Sequence, residues 1–171
     1  VIEVLTDLEL VWSEFNNKTR TDIRKAQKCV TLHESNDIEM FYKINSMTFQ
    51  RQGITIPYDI EFIKSLDTAC VYNDCRKILC AKDEQGRVHA AIYIVWDENS
   101  TYYIMGGSDP ELRSSGATHL LIWEAIKLSS AMGKKFDFEG SMIEPVEKFV
   151  RSFGAIQKPY FSISKTKSKL L

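Results

Sequence analysis

The sequence predicts a single α/β domain, spanning residues 1–171, in which helices flank a mixed sheet. Three observations carry this. Helical and extended periodicities alternate along the chain, with no linker, repeat or low-complexity stretch between them. Residues 77–106 switch to a period of two, with turn signals separating three runs, as in an antiparallel meander. The strongest helical pattern, residues 113–132, ends at Gly133 and leads straight into a short extended run. With 171 residues the chain falls in the size range of about 100–200 residues typical of one domain with a real core.

Taken in order, residues 6–28 read as helical, with Leu8, Val11, Trp12 and Phe15 at helical spacing and a break at Asn16-Asn17. Residues 29–34 alternate as a short strand. Asn36 or Asp37 caps the next helix, whose apolar stripe is Ile38, Phe41, Ile44 and Thr48 and whose stop is Gly53. Pro57 suits the first turn of a further helix with Phe62, Ile63, Leu66, Ala69 and Cys70 facing inward. Strands follow at 77–81, 88–96 and 101–106, joined by the turns 83–86 and 97–100. After the long helix come a strand at 135–139, a helix at 144–153 stopped by Gly154, and a strand at 159–164. Lys165, Lys167 and Lys169 form a basic tail.

Charge excludes one broad class. Against 22 Lys and Arg stand 23 Asp and Glu, so the net charge of −1 does not drive nucleic-acid binding globally, and only a local basic patch could. No apolar run approaches the roughly 20 residues that span a bilayer, and no basic-then-apolar leader opens the chain. The expected location is the cytoplasm. The first residue is Val rather than Met, so the chain is expected to be a fragment or a processed product. Cys29, Cys70, Cys75 and Cys80 lack the CxxC clamp of zinc sites, and the three His are far apart, so no metal site is expected and the cysteines read as free thiols.

Four constellations could carry chemistry. Gly106-Gly107-Ser108-Asp109-Pro110 reads as a Gly-rich loop running into Arg113-Ser114-Ser115-Gly116 at the start of the long helix. Main-chain amides at a helix start bind anions, and Arg113 adds a fork-shaped donor. The same residues also suit an ordinary strand–helix connection. In Phe136-Asp137-Phe138-Glu139-Gly140-Ser141, alternation puts the two Phe in the core and directs Asp137 and Glu139 the other way. Two carboxylates at a strand's C-terminal end could orient an amine or accept its proton, or could simply face solvent. Arg20, Arg24 and Lys28 fall at i, i+4 and i+8 on one helix face, a phosphate-binding stripe or a solvated one. Finally, Phe149 and Phe153 pack at i, i+4, with Arg151 on another face and Tyr160 downstream.

Arg20, Ile23-Arg24-Lys25-Ala26 and Lys28 resemble the "R…IRKA.K" signature of Fem-type proteins, the peptidoglycan-bridge aminoacyltransferases within the GNAT acyltransferase superfamily. Phe136–Ser141 resembles their "DF.GS" strand, Phe149–Gly154 their "FK..FG" helix end, and Tyr160 the aromatic that follows. Order and spacing agree over residues 12–165. The resemblance implies a GNAT fold: a mostly antiparallel mixed sheet with a V-shaped cleft between the strand near 101–106 and that near 135–139. It also implies a bacterial N-acyltransferase moving an acyl or aminoacyl group to an amine, with acyl-CoA or aminoacyl-tRNA as co-substrate rather than a tightly bound cofactor. The acceptor would be an amine such as a cell-wall precursor, and the chain would be the C-terminal domain of a longer protein, with a GNAT-like domain upstream, or a single-domain relative. Under this reading Glu139 or Asp137 takes the amine proton. Gly106 and Gly107 line the reacting carbonyl. Arg113, Ser114 and Gly116 hold the donor's phosphate, with Arg151 and Tyr160 also at the cleft, and Arg20, Arg24 and Lys28 hold tRNA or a pyrophosphate. Arg113–Thr118 matches the first half of the acyl-CoA pattern Q/R-x-x-G-x-G/A. Bridge-forming members carry Lys where this sequence has Val150, so the alternative is a non-catalytic substrate- or partner-binding module of a two-domain protein.

Overall fold

The computed structural model describes residues 1–3, 6–140, 143–159 and 163–165. Helices α1 (Leu8–Glu14) and α2 (Asn17–Ala26) are separated at Asn16, whose side chain caps α2 by accepting from the Thr19 amide. Strand β1 (Thr31–Ser35) follows, then α3 (Ile38–Gln52), capped by Asp37 and closed by Gly53 in the left-handed region. Helix α4 (Ile60–Tyr72) starts at an Asp59 cap, so Pro57 lies ahead of the helix rather than in its first turn. Strands β2 (Arg76–Lys82), β3 (Val88–Trp96) and β4 (Ser100–Ser108) form the meander. A single 3-10 turn, Arg113–Ser115, leads into α5 (Ala117–Ala131), followed by β5 (Lys135–Asp137) and α6 (Glu144–Arg151). Of the final strand expected at residues 159–164, residues 160–162 lie outside the described residues, Tyr160 among them, and Pro159, Ile163 and Ser164 form no strand. Ser141 and residues 166–171 of the basic tail are likewise outside them.

The sheet order is β1-β2-β3-β4-β5, antiparallel except for the parallel β4–β5 pair. Its two faces bury separate cores. On one, Ile92, Ile94 and Phe136 pack with Leu121, Ala125 and Ile126 of α5 and with Phe15, Ile23 and Phe153. On the other, Tyr93, Ala91 and Ile78 meet Phe41 and Ile44 of α3. Helix α5, apolar on nearly all sides, is the central buried helix that its sequence predicts. Helix α4 departs from expectation: Ile63 is buried, but Phe62 is 58% exposed and Ala69 is exposed too. The helix lies at the margin of the sheet, where one side of the expected stripe finds no partner.

Two features open the molecule between β4 and β5. The parallel pairing covers only Ser100–Tyr102 against Lys135–Asp137, although β4 runs on to Ser108. A bulge interrupts β4 just beyond that contact: Tyr93 faces Met105 while Ile94 faces Tyr103, leaving Ile104 as the extra residue. A bulge bends its strand and increases local twist. The outer edge of β4 from Tyr103 onward therefore has no strand beside it among the described residues.

Candidate active site

The edge of β4 presents main-chain groups in a definable order. Asp109 donates its amide to the His89 carbonyl at 3.0 Å, which marks one hydrogen-bonded pair of the β3–β4 ladder. Such pairs alternate along an antiparallel ladder, so Gly107 faces inward to β3 while Gly106 and Ser108 direct their amides and carbonyls outward. Side chains from α3 meet two of these groups. The Asn45 amide donates to the Gly106 carbonyl at 3.0 Å, and the Ser108 amide donates to Thr48 Oγ1 at 3.3 Å. By the same alternation the Gly106 amide is directed away from β3 at the open seam, where no side-chain acceptor meets it among the described residues.

Gly106 and Gly107 thus belong to β4, not to the Gly-rich loop expected there. Nor is the space over them left for a substrate. A Cβ on Gly107 would overlap the Ile44 carbonyl and Asn45 Cα of α3, and one on Gly106 would overlap the Tyr103 phenol. The missing side chains allow a helix backbone and a ring to approach the strand. Burial pushes the Tyr103 hydroxyl up to about 12, so it stays neutral beside the seam.

At the facing side, Phe136 and Phe138 are buried in edge-to-face contact, as the alternation requires. Asp137 pairs in register with Tyr102 and shares the face of the sheet on which α3 lies. β5 ends there, three residues long, so Glu139 is not on the strand as expected. It occupies a turn at φ 61, with its amide donated to Asp137 Oδ1 at 2.8 Å. Partial burial, then the charge of Asp137, pushes the Glu139 carboxyl above the ordinary glutamate range.

Beside the seam, on the face of α3 and α4, lies a cavity of about 650 Å³ lined by Tyr42, Ile56, Pro57, Tyr58, Asp59 and Phe62. Tyr58 and Phe62 stack at 6.3 Å between ring centroids. The Tyr58 hydroxyl donates to Asn45 Oδ1 at 2.8 Å, and the same Asn45 binds the Gly106 carbonyl. One buried amide therefore joins the cavity wall to the β4 edge. Burial raises the Tyr58 phenol, so it remains a donor. The sequence reading missed Asn45, Tyr58 and Tyr103. Asn45 alone left a signal, a polar residue four positions after Phe41 on an apolar helix face.

The phosphate-loop residues also receive definite places. Gly116 sits at φ 82 as the cap of α5, where a Cβ would overlap the Asp22 carbonyl of α2. Lys25 donates to the Ser114 carbonyl at 2.6 Å, and Ser115 Oγ accepts from the Ala117 amide. Arg113 is exposed and makes no ion pair among the described residues. The basic stripe is largely engaged within the fold. Arg20 donates to the Ser13 carbonyl at 2.8 Å and to Asn17, and Arg24 lies 5.5 Å over the Trp12 ring. Lys28 is exposed, and Arg151 pairs with Glu147 along α6. No group of three or more His, Cys, Asp or Glu among the described residues is placed to hold a metal ion, and no helix among them is long and apolar enough to cross a membrane.

A half-paired β4–β5 seam next to a long buried helix is the expected arrangement, and comparison with known proteins agrees. A model of the acetyltransferase (GNAT) domain matches residues 13–141. The chain belongs to the GNAT acetyltransferase family. Among solved structures, FemX superposes with a TM-score of 0.78 at 13% identity, covering 90% of this chain and 57% of that one. A predicted acetyltransferase from Clostridium acetobutylicum, solved with acetyl-CoA, superposes at 0.58 with 12% identity, covering 80% and 96%. The aminoglycoside acetyltransferase AAC(6')-Iy, in complex with a CoA-based bisubstrate analogue, gives 0.60 at 9% identity over 81% and 99%. At these identities the likeness is one of fold, and this GNAT chain spans just over half the length of FemX. No curated protein matches it by sequence.

Proposed function

We propose that this GNAT domain is an N-acyltransferase that passes an acyl group from acyl-CoA to an amine at the β4–β5 seam. The observation that carries the reading is the outward-directed Gly106 amide on an unpaired strand edge, facing the carboxylate-bearing end of β5. A carbonyl laid along that edge meets a fixed main-chain donor, which stabilises the oxyanion formed when the amine attacks. The amine must lose a proton. Glu139, its carboxyl held above the ordinary glutamate range by partial burial and then by Asp137, is the acceptor we favour, with Asp137 holding the turn through its bond to the Glu139 amide. The cavity walled by Tyr58 and Phe62 holds the body of the acceptor, and Asn45 couples it to the seam. Arg113 and the cap at Gly116 face the donor's phosphates, where a helix start favours anions.

Acyl-CoA is preferred to aminoacyl-tRNA because Arg20 and Arg24 are already engaged with α1. The FemX likeness supports an amine of the cell-wall-precursor class as acceptor. The test combines binding and turnover. Acetyl-CoA should raise the melting temperature, tRNA should not, and Glu139→Gln should lower kcat by about 10²–10⁴-fold, the range for losing a general base. Full activity in both Glu139→Gln and Asp137→Asn would remove the base assignment. Stabilisation by tRNA would reverse the choice of donor.

A second reading has its own observation. Val150, where bridge-forming members carry Lys, is half-buried against the main core, as suits a binding module of a two-domain protein. No response to acetyl-CoA and no turnover would favour it.

A further inference from the structure

Helix α4 ends in a left-handed residue that is not glycine. Asp74 has φ 47, its amide donates to the Val71 carbonyl at 3.0 Å, and the next amide, of Cys75, donates to the Cys70 carbonyl at 3.0 Å. This is the Schellman arrangement, in which the residue after the left-handed one folds back over the last turn, and the two side chains so opposed usually make an apolar contact. Here both are cysteines. Cys75 Sγ lies 3.5 Å from the Cys70 carbonyl oxygen. A direct amide–carbonyl bond between two residues keeps their Cα atoms within the roughly 4.4–6.8 Å that a disulfide bridges. The residue after the pair is anchored: Arg76 opens β2, and its Nε lies 2.9 Å from Asp67 Oδ1 on α4. Cys70 and Cys75 are each half-buried, whereas Cys80 is buried and Cys29 exposed. The acyl-transfer reading uses none of the four.

We propose that Cys70 and Cys75 form a reversible disulfide when the protein meets a small-molecule disulfide of the glutathione type. One thiolate attacks a sulfur of the external disulfide, forming a mixed disulfide and expelling one thiolate. The second cysteine loses its proton and attacks the protein-bound sulfur, closing the internal bond and releasing the other small thiol. The two protein thiols give up two electrons and two protons, and the external disulfide becomes two thiols. Burial, reinforced by the neighbouring Cys70, raises the Cys75 thiol, so closure accelerates as pH rises and the thiolate fraction grows. The bond would lock the last turn of α4 to the start of β2.

The folded Cys29→Ser protein, which lacks the exposed thiol, is incubated with oxidised glutathione and quenched in acid, its thiols are counted under denaturing conditions, and its peptides are mapped by mass. The expected result is loss of two of its three remaining thiols. Intact mass falls by two hydrogens, a cross-linked peptide joins Cys70 to Cys75, and dithiothreitol reverses all three. The oxidised protein should also melt a few degrees higher, as a ring closure in the unfolded chain predicts. Adding Cys70→Ser or Cys75→Ser to that background should leave one glutathione bound at the remaining member of the pair, because no second thiol resolves it. The proposal is overturned if all three thiols of the Cys29→Ser protein persist, if glutathione stays attached to its Cys70 or Cys75, or if the cross-link maps to another pair. None of these readouts depends on acyl transfer.

Discussion

At the scale of single residues, the site is built by what is missing and by what is held apart from water. Gly107 has ordinary backbone angles and is needed only because the backbone of α3 occupies the place of its side chain. Gly107→Ala must therefore push a helix away from the sheet, and should cost about 1–3 kcal/mol, read as a lower midpoint in denaturant unfolding. Gly106 differs, since the atoms it would displace are those of the Tyr103 ring. Glu139 gives a second prediction at this scale. Its carboxyl is raised by burial and by Asp137, so a reaction using it as base should lose rate as pH falls through a value above the ordinary glutamate range. Glu139→Gln should abolish that acid limb in a pH profile of kcat/KM, while a limb that persists would assign it elsewhere. The roles of Asn45 and Tyr58 depend on partners 61 and 13 positions away, Gly106 and Asn45 respectively, and that of Tyr103 on a bulged strand that brings its ring over Gly106, so beyond the polar Asn45 on an apolar helix face the sequence carried no sign of them.

Individual elements show where local chemistry suffices and where it does not. The turn between β2 and β3 is nearly self-contained. Asp83 accepts from the amides of Gln85 and Arg87 and from the Arg87 guanidinium, and it meets His89 Nε2 at 3.1 Å. Desolvation alone would raise this carboxyl, but His89 and Arg87 outweigh it and hold it down at about 2. A carboxylate with a depressed folded pKa contributes stability above its ordinary value near 3.8, and that contribution is lost as pH falls toward 2. Asp83→Asn should thus destabilise the protein at neutral pH and flatten its acid-unfolding curve between those values. An unchanged curve would mean that the cluster contributes nothing to folding. Helix ends follow the same local logic, since Asp7, Asn16, Asp37 and Asp59 each cap the helix that follows with a side-chain oxygen. β5 does not: its sequence pattern runs on to Glu139, yet pairing stops at Asp137 because β4 bends away at its bulge.

Across the whole molecule, two layers grip one sheet, and the layer of α3 and α4 is the less firmly held. Helix α4 is tied down by few groups, chiefly Asp67, which takes the Arg76 guanidinium and the Tyr93 hydroxyl, the latter at 2.9 Å. Arg76 also donates to Asn36 at the entrance to α3. Arg76→Ala should leave Asp67 with a largely buried, uncompensated charge and destabilise by about 3–5 kcal/mol. Hydrogen exchange should then quicken in α4 before it does in α5; uniform quickening would show that the two layers unfold as one. The residue pattern alone was enough to establish the order of elements, the meander, the buried helix and the carboxylates beyond Phe136, because periodicity, caps and turn residues act over a few neighbours. Tertiary structure decided that the glycines lie within a strand, that the arginine stripe folds back onto α1, and that an aromatic cavity adjoins the seam. Those facts arise from which surfaces meet after folding, and contacts between distant segments leave no periodic trace along the chain.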